Sequence, residues 1–123
     1  MSKLIFPQEI EVWYILPLIR RKIALKLIES GLPQKKVAEM MGITPAAVNQ
    51  YKKRKRAKED VFDEELEKEL INSIKKIITN NELLGKEIIR LNNLVKKRGL
   101  ICKLYQDRCI LGKDKGSCPY CKD

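Results

Sequence analysis

The sequence contains no histidine, which restricts the chemistry that the protein can perform. Histidine is the usual general base near neutral pH, so catalytic triads and dyads that depend on it are excluded. Any metal site has to use cysteine or carboxylate ligands instead. Aromatic residues are also few, at 6% of 123 residues, whereas aliphatic residues are plentiful enough for a core.

Long apolar runs are missing as well. A membrane-spanning helix needs roughly 20 apolar residues, and the stretch "VWYILPLI" is much shorter and contains Pro17. The sequence after Met1 lacks the basic head, apolar stretch and cleavage site of a signal peptide. We therefore expect a cytoplasmic protein with no membrane partner.

Acidic residues are too few to balance the basic ones, which number 26 against 16. Most of the excess falls in residues 1–60, with 13 basic and 6 acidic residues, against 13 and 10 in residues 61–123. A basic region of this kind favours a polyanion partner such as nucleic acid. A lysine-rich solvated surface is the alternative, because charge alone does not distinguish the two.

Apolar periodicity predicts an all-α fold without strands. The predicted helices cover residues 17–30, 33–41, 45–58, 61–79 and 82–98. The last two are long and amphipathic, and their apolar stripes need a partner. These stripes contain Phe62, Leu66, Leu70, Ile74, Ile77 and Ile78, and Leu84, Ile88, Leu91 and Val95.

The stretch "LPQKKVAEMMGITPAAVNQYKKRKR" is typical of a helix-turn-helix. Ala38 is small where two helices would cross closely, and Gly42 permits the left-handed backbone of the turn. Ile43 and Val48 would hold the second helix against the first. Thr44 is placed to cap that second helix. We expect a helix-turn-helix domain over 1–58, a helical dimerisation or linker region over 59–99, and a loop-rich cysteine tail over 100–123.

The exposed side of the second helix suits a DNA major groove. Asn49 and Gln50 can each bind adenine bidentately, which is worth about 1–3 kcal/mol of discrimination. Thr44 can bind a phosphate, and the alanine methyl groups can touch thymine methyl groups. The basic run that follows would bind phosphates on either side of the groove. The predicted DNA-binding residues are Gln34, Lys35, Thr44, Ala46, Ala47, Asn49, Gln50, Lys52, Lys53, Arg54, Lys55 and Arg56.

Residues from about 8 to 58 resemble archaeal transcriptional regulators with a lambda-repressor-type helix-turn-helix, through "LPLIRRKIALKLIESGLPQKKVAEMMGITPAAVNQY". The resemblance implies that the helix beginning at Pro45 is the recognition helix. The patterns "GLICKLY" and "GSCPYC" are similar to relatives that end in a cysteine-rich segment. Those relatives carry a histidine near the position of Leu104 or Tyr105, so Cys109 would replace it here.

The four cysteines lie within twenty residues and are Cys102, Cys109, Cys118 and Cys121. Alone, "CPYC" is a glutaredoxin motif, but that enzyme needs a whole α/β domain downstream of its dithiol. Only two residues follow the motif here, so we predict that the protein is not an enzyme. A cytoplasmic setting also argues against disulfides.

The cysteine spacing instead favours a shared metal centre. Zinc tends to use two tight cysteine pairs, and only Cys118 and Cys121 form one. The wider spacing of Cys102 and Cys109 favours an iron–sulfur cluster, most simply [4Fe-4S]. Structural zinc, disulfides and free thiols stay open as alternatives. A cluster would make the protein a regulator that senses redox or iron status.

A single helix-turn-helix reads only a half-site, so we expect a homodimer on double-stranded DNA. The predicted interface is the stripe of Leu84, Ile88, Leu91 and Val95, with Ile74, Ile77 and Ile78 contributing. The alternative is that the two long helices pack on each other within one chain. Two other functions stay open from the sequence, namely a basic RNA-binding protein with a zinc tail and a thiol oxidoreductase.

Overall fold

The computed structural model describes residues 6–53 and 62–97, and no strand occurs in either range. The predicted all-α fold is therefore confirmed for this part of the chain. A π-helical turn, Glu11–Ile15, joins the first two helices without a break, and a 3-10 turn, Asn81–Leu83, precedes the last one. The α-helices are α1 Pro7–Ile10, α2 Leu16–Glu29, α3 Gln34–Met41, α4 Pro45–Lys53, α5 Glu64–Thr79 and α6 Leu84–Lys97.

The predicted helix over 17–30 corresponds to α2, and Pro17 lies in its first turn as predicted, but the helical residues 7–15 that lead into α2 without a break were not predicted. Proline lacks an N–H, and inside an α-helix its ring clashes with the carbonyl four residues before it. Here the π-helical turn lies directly before the ring, and the Leu16 N–H donates to the Glu11 carbonyl, five residues back. The backbone has therefore already left the regular α-helical pattern where Pro17 would disrupt it, and the helix continues.

Central to the fold is α2, which packs against each of α3, α4, α5 and α6. Its own buried residues are Leu18, Ile19, Ile23, Ala24 and Leu27. The same core contains Val37 and Met41 from α3, Leu66, Leu70, Ile74 and Ile77 from α5, and Leu91 and Val95 from α6. Residues 6–53 and 62–97 thus share one hydrophobic core, and burial of this aliphatic surface is the main stabilising contribution.

The apolar stripe of α6 is covered within the chain. Leu91 and Val95 are 0% exposed, and Leu84 and Ile88 pack against the same core. Of the three α5 isoleucines predicted to contribute to the interface, Ile74 and Ile77 are buried too, whereas Ile78 is 46% exposed. The prediction that this stripe contacts a second copy is therefore corrected: α5 and α6 pack on each other and on α2.

A polar network also connects α5 and α6. The Ser73 hydroxyl donates to Glu87 Oε1 at 2.6 Å, and Arg90 Nε donates to the same oxygen at 2.9 Å. Arg90 Nη1 donates to Glu69 Oε1 at 2.7 Å. Burial by itself would raise the pKa of Glu87, but hydrogen bonds from Ser73 and Arg90, with the charges of Arg90 and Lys76, hold that pKa below its ordinary value. The network keeps the Glu87 carboxylate ionised although the residue is buried.

Candidate nucleic-acid interface

A tight turn at residues 42–44 connects α3 to α4. Gly42 ends α3 with φ 66° and ψ 33°, and the Ile43 N–H donates to the Ala38 carbonyl at 3.0 Å. Glycine adopts this left-handed backbone without steric cost, as the sequence predicted. Ala38 and Val48 are buried, and Tyr51 is half-buried against the core. These contacts hold the inner side of α4 against the rest of the fold.

The hydroxyl of Thr44 caps α4, which confirms the predicted cap. Thr44 Oγ1 accepts a hydrogen bond from the Ala47 N–H at 3.1 Å, and the Thr44 carbonyl accepts from the same group at 3.0 Å. Thr44 is exposed. Because a hydroxyl both accepts and donates, the cap leaves its O–H able to donate to an incoming phosphate.

Gln34 connects the beginnings of the two helices. Its Nε2 donates to the carbonyl of Pro45 at 3.3 Å, and the residue is half-buried. Part of the Gln34 amide is therefore already used inside the protein rather than free for DNA. The sequence offers no signal for this contact, because the two residues are eleven positions apart and follow no periodic pattern.

The solvent-facing side of α4 carries Ala46, Asn49, Gln50 and Lys53, all exposed. At 3.6 residues per turn these four side chains fall within about 100° of the helix circumference. No acidic residue occurs in α4. Ala47 departs from the predicted set, because it is half-buried on the flank of α4 that turns towards the core. Ala46, Asn49, Gln50 and Lys53 form a single outward stripe, called here the reading face.

Exposed lysines lie at both ends of the α3–α4 unit. Lys35 and Lys36 are in the first turn of α3, and Lys52 and Lys53 are in the last turn of α4. The one acidic residue in residues 34–53 is Glu39. The unit therefore offers two lysines at each end, and the exposed Glu39 is the one charged residue between them. The predicted contacts at Arg54, Lys55 and Arg56 lie outside the described residues.

Metal ligation is not found in residues 6–53 and 62–97, where no three His, Cys, Asp or Glu side chains form a group that could hold a metal ion. The four predicted ligands, Cys102, Cys109, Cys118 and Cys121, lie outside these ranges, and the metal centre stays a prediction. Across the same ranges, no helix combines the length and apolar character that crossing a membrane requires.

No protein-family model, curated protein or solved structure shows significant similarity to this chain. The resemblance to archaeal regulators therefore stays a prediction. What α3 and α4 do has to be inferred from their own side chains.

Proposed function

We propose that the protein is a sequence-specific DNA-binding transcriptional regulator. In this proposal α3 and α4 form a helix-turn-helix, and α4 is the recognition helix. The reading face is the observation that carries the proposal, because it combines two exposed amides with no acidic residue. The major groove of B-DNA is about 12 Å wide, and an α-helix with side chains is about 10–12 Å in diameter.

The lysines at the two ends of the α3–α4 unit support the proposal. A helix lying in the groove passes between two phosphate backbones, and positive side chains on both flanks would position it there. Each neutralised phosphate releases counterions, so the affinity would fall steeply with salt concentration. The exposed hydroxyl of Thr44 adds a neutral phosphate donor at the start of α4.

The rigidity of the reading face is a further argument. Asn49 and Gln50 lie on a helix that the Gly42 turn, the Thr44 cap and the buried Val48 hold in place. The backbone that carries these two side chains is therefore placed before DNA binds, which favours discrimination between sequences.

Replacement of Asn49 or Gln50 by alanine should weaken binding to the preferred duplex by about 1–3 kcal/mol and scarcely change binding to random DNA. The reason is that a bidentate contact to a base edge is lost while phosphate contacts persist. Lys53→Ala should instead weaken both complexes and lower the slope of log affinity against log salt by about 1. Fluorescence anisotropy with the full chain, on a duplex selected from a random library, measures all of these effects.

Matched controls exist on exposed positions of α5 and α6. Asn72→Ala and Lys86→Ala remove the same side-chain types away from α4 and should leave both affinities unchanged. Equal losses on selected and random DNA for Asn49→Ala would contradict the recognition-helix assignment. Tighter binding to RNA than to any duplex DNA would favour the RNA-binding alternative.

We also propose that Cys102, Cys109, Cys118 and Cys121 together ligate one iron–sulfur cluster, in line with their spacing. Anaerobically purified protein should then be coloured and contain iron and inorganic sulfide. Each single Cys→Ser change should lower the metal content, because four thiolates complete the ligand set of such a cluster. Absorption spectra with iron, sulfide and zinc assays measure these outcomes. Loss of the cluster on oxidation would change the affinity for DNA and make the protein a redox or iron sensor.

Colourless anaerobic protein with one zinc ion per chain would remove the sensor mechanism and leave a structural role. If Cys109→Ser leaves the metal content intact, the site has three protein ligands and the four-ligand assignment fails. We further expect the protein to act in the cytoplasm, as a homodimer on double-stranded DNA. Contact between the two copies would then use a surface other than the buried stripe of α6.

A further inference from the structure

We propose that the reading face selects a short run of consecutive A·T base pairs, with a thymine methyl group against Ala46. The inference rests on the proposed function and specifies the base sequence that α4 would bind. It excludes guanine and cytosine contacts from the centre of the half-site.

The side-chain chemistry of Ala46, Asn49 and Gln50, the three residues that would read bases, supports this choice. A side-chain amide matches the N6 donor and N7 acceptor of adenine, whereas guanine is read by Arg or Lys and cytosine by Asp or Glu. Asn49 and Gln50 are exposed amides, and the described α4 contains neither a carboxylate nor an arginine. Its two lysines, which could read guanine, lie together in the last turn. Ala46 has no polar atom in its side chain, and its methyl group suits the C5-methyl of thymine.

The helical rise gives the number of pairs that these readers cover. At 1.5 Å per residue, Ala46 and Gln50 are separated by about 6 Å along the axis of α4. Base pairs are stacked about 3.4 Å apart on each strand, so the three readers span two to three consecutive pairs. Gln50 has one methylene group more than its neighbour Asn49 and can reach the adjacent pair.

The other polar groups near α4 fall outside this central span. Lys53 is about 4.5 Å further along the axis than Gln50 and lies with Lys52 in the last turn. In a helix-turn-helix the N-terminal residues of the recognition helix contact base edges, so the two lysines are assigned to phosphates. At the other end, Thr44 Oγ1 caps the helix and the Gln34 amide bonds to the Pro45 carbonyl. The centre of the half-site is therefore left to one methyl group and two amides.

Selection of duplexes from a random library by the full chain tests the inference. We expect enrichment of two to three consecutive A·T pairs in each half-site. In the selected duplex, uracil in place of the contacted thymine removes only the methyl group and should weaken binding about fourfold. Replacement of the contacted adenine by 7-deazaadenine removes the N7 acceptor and should weaken binding at least about fivefold.

A variant with a changed base preference gives a more stringent test. Gln50→Arg should change the preference at one base pair from A·T to G·C, because a guanidinium matches guanine O6 and N7. Asn72→Arg adds the same charge on an exposed position of α5 and should retain the A·T preference. Circular dichroism of each variant verifies that the helices are intact.

Two results would overturn the inference while leaving DNA binding in place. One is enrichment of G·C pairs, or of no pairs, at the centre of the half-site. The other is a Gln50→Arg variant that selects the same bases as the unaltered chain. If no duplex binds at all, the proposed function fails and the A·T readout fails with it, and this outcome is distinct from the first two.

Discussion

Replacement of Leu91 by alanine is expected to lower the free energy of unfolding by about 2–5 kcal/mol. Leu91 is 0% exposed and belongs to the core formed by α2, α5 and α6. Its truncation would leave a cavity inside a single chain. The midpoint of denaturant unfolding should therefore fall by the same amount at every protein concentration. Denaturation followed by circular dichroism over a hundredfold range of concentration measures both quantities.

Ile89 provides the matched control, because it lies on the same helix and is 62% exposed. Ile89→Ala should change the free energy of unfolding by no more than about 0.5 kcal/mol. If the stripe of α6 were instead a dimer interface, Leu91→Ala would weaken the dimer, and its loss of stability relative to the unaltered chain would change with protein concentration. A weaker dimer with an unchanged stability of the monomer would contradict the intramolecular core.

The second large effect is expected for Arg90→Ala, which should lower the free energy of unfolding by about 2–4 kcal/mol at neutral pH. Loss of one partner of a fully buried ion pair costs roughly 3–5 kcal/mol, and the effect here is smaller because the Arg90 side chain is 30% exposed. Arg90→Ala leaves the Glu87 carboxylate, in a residue that is 6% exposed, without its guanidinium. Urea unfolding at neutral pH measures the change.

The pH dependence gives an independent measurement of the same network. The pKa of Glu87 is held below its ordinary value of 4.5. Its contribution to stability is therefore complete above about pH 4.5 and is lost as the pH falls through the lowered pKa. In Arg90→Ala the Glu87 carboxyl can protonate more easily, so the variant should lose less stability in acid. The difference in the free energy of unfolding between the unaltered chain and Arg90→Ala should be largest at neutral pH and should shrink below about pH 4.5.

Lys76 is the control for this network, because its Nζ lies 3.9 Å from Glu87 Oε2 and its side chain is 53% exposed. Because the lysine side of this pair is exposed to water and the contact is long, the pair should contribute at most about 1 kcal/mol. Lys76→Ala should accordingly have a small effect at neutral pH. A loss as large as that of Arg90→Ala would mean that overall charge, not the hydrogen-bonded network, stabilises Glu87.

Local features of the α3–α4 unit could be predicted from the sequence. The left-handed Gly42 and the Thr44 cap depend on backbone geometry within a few residues, which residue type strongly constrains. Val48 is buried as predicted, while Asn49 and Gln50 are exposed, because helical periodicity separates the two sides of α4. Ala47 lies at the border between these sides, where periodicity does not decide exposure.

Contacts between distant residues could not be predicted. The Gln34 amide meets the Pro45 carbonyl because two helices converge, and neither residue type requires the other. The same holds for Arg90, which reaches both Glu87 on its own helix and Glu69 on α5. Hydrogen bonds of this kind follow from the placement of whole helices, and no short-range pattern encodes that placement.

By itself, the sequence determined the helical class, the turn after α3 and the division of each amphipathic helix into a buried and an exposed face. Only the tertiary structure decided what covers the buried faces. The stripe containing Leu91 and Val95 gains the same free energy from leaving water whether α2 or a second copy covers it, because that gain depends on apolar area and not on the identity of the partner. Periodicity therefore predicted that the stripe is buried, and the packing of α6 on α2 within the chain determined its partner.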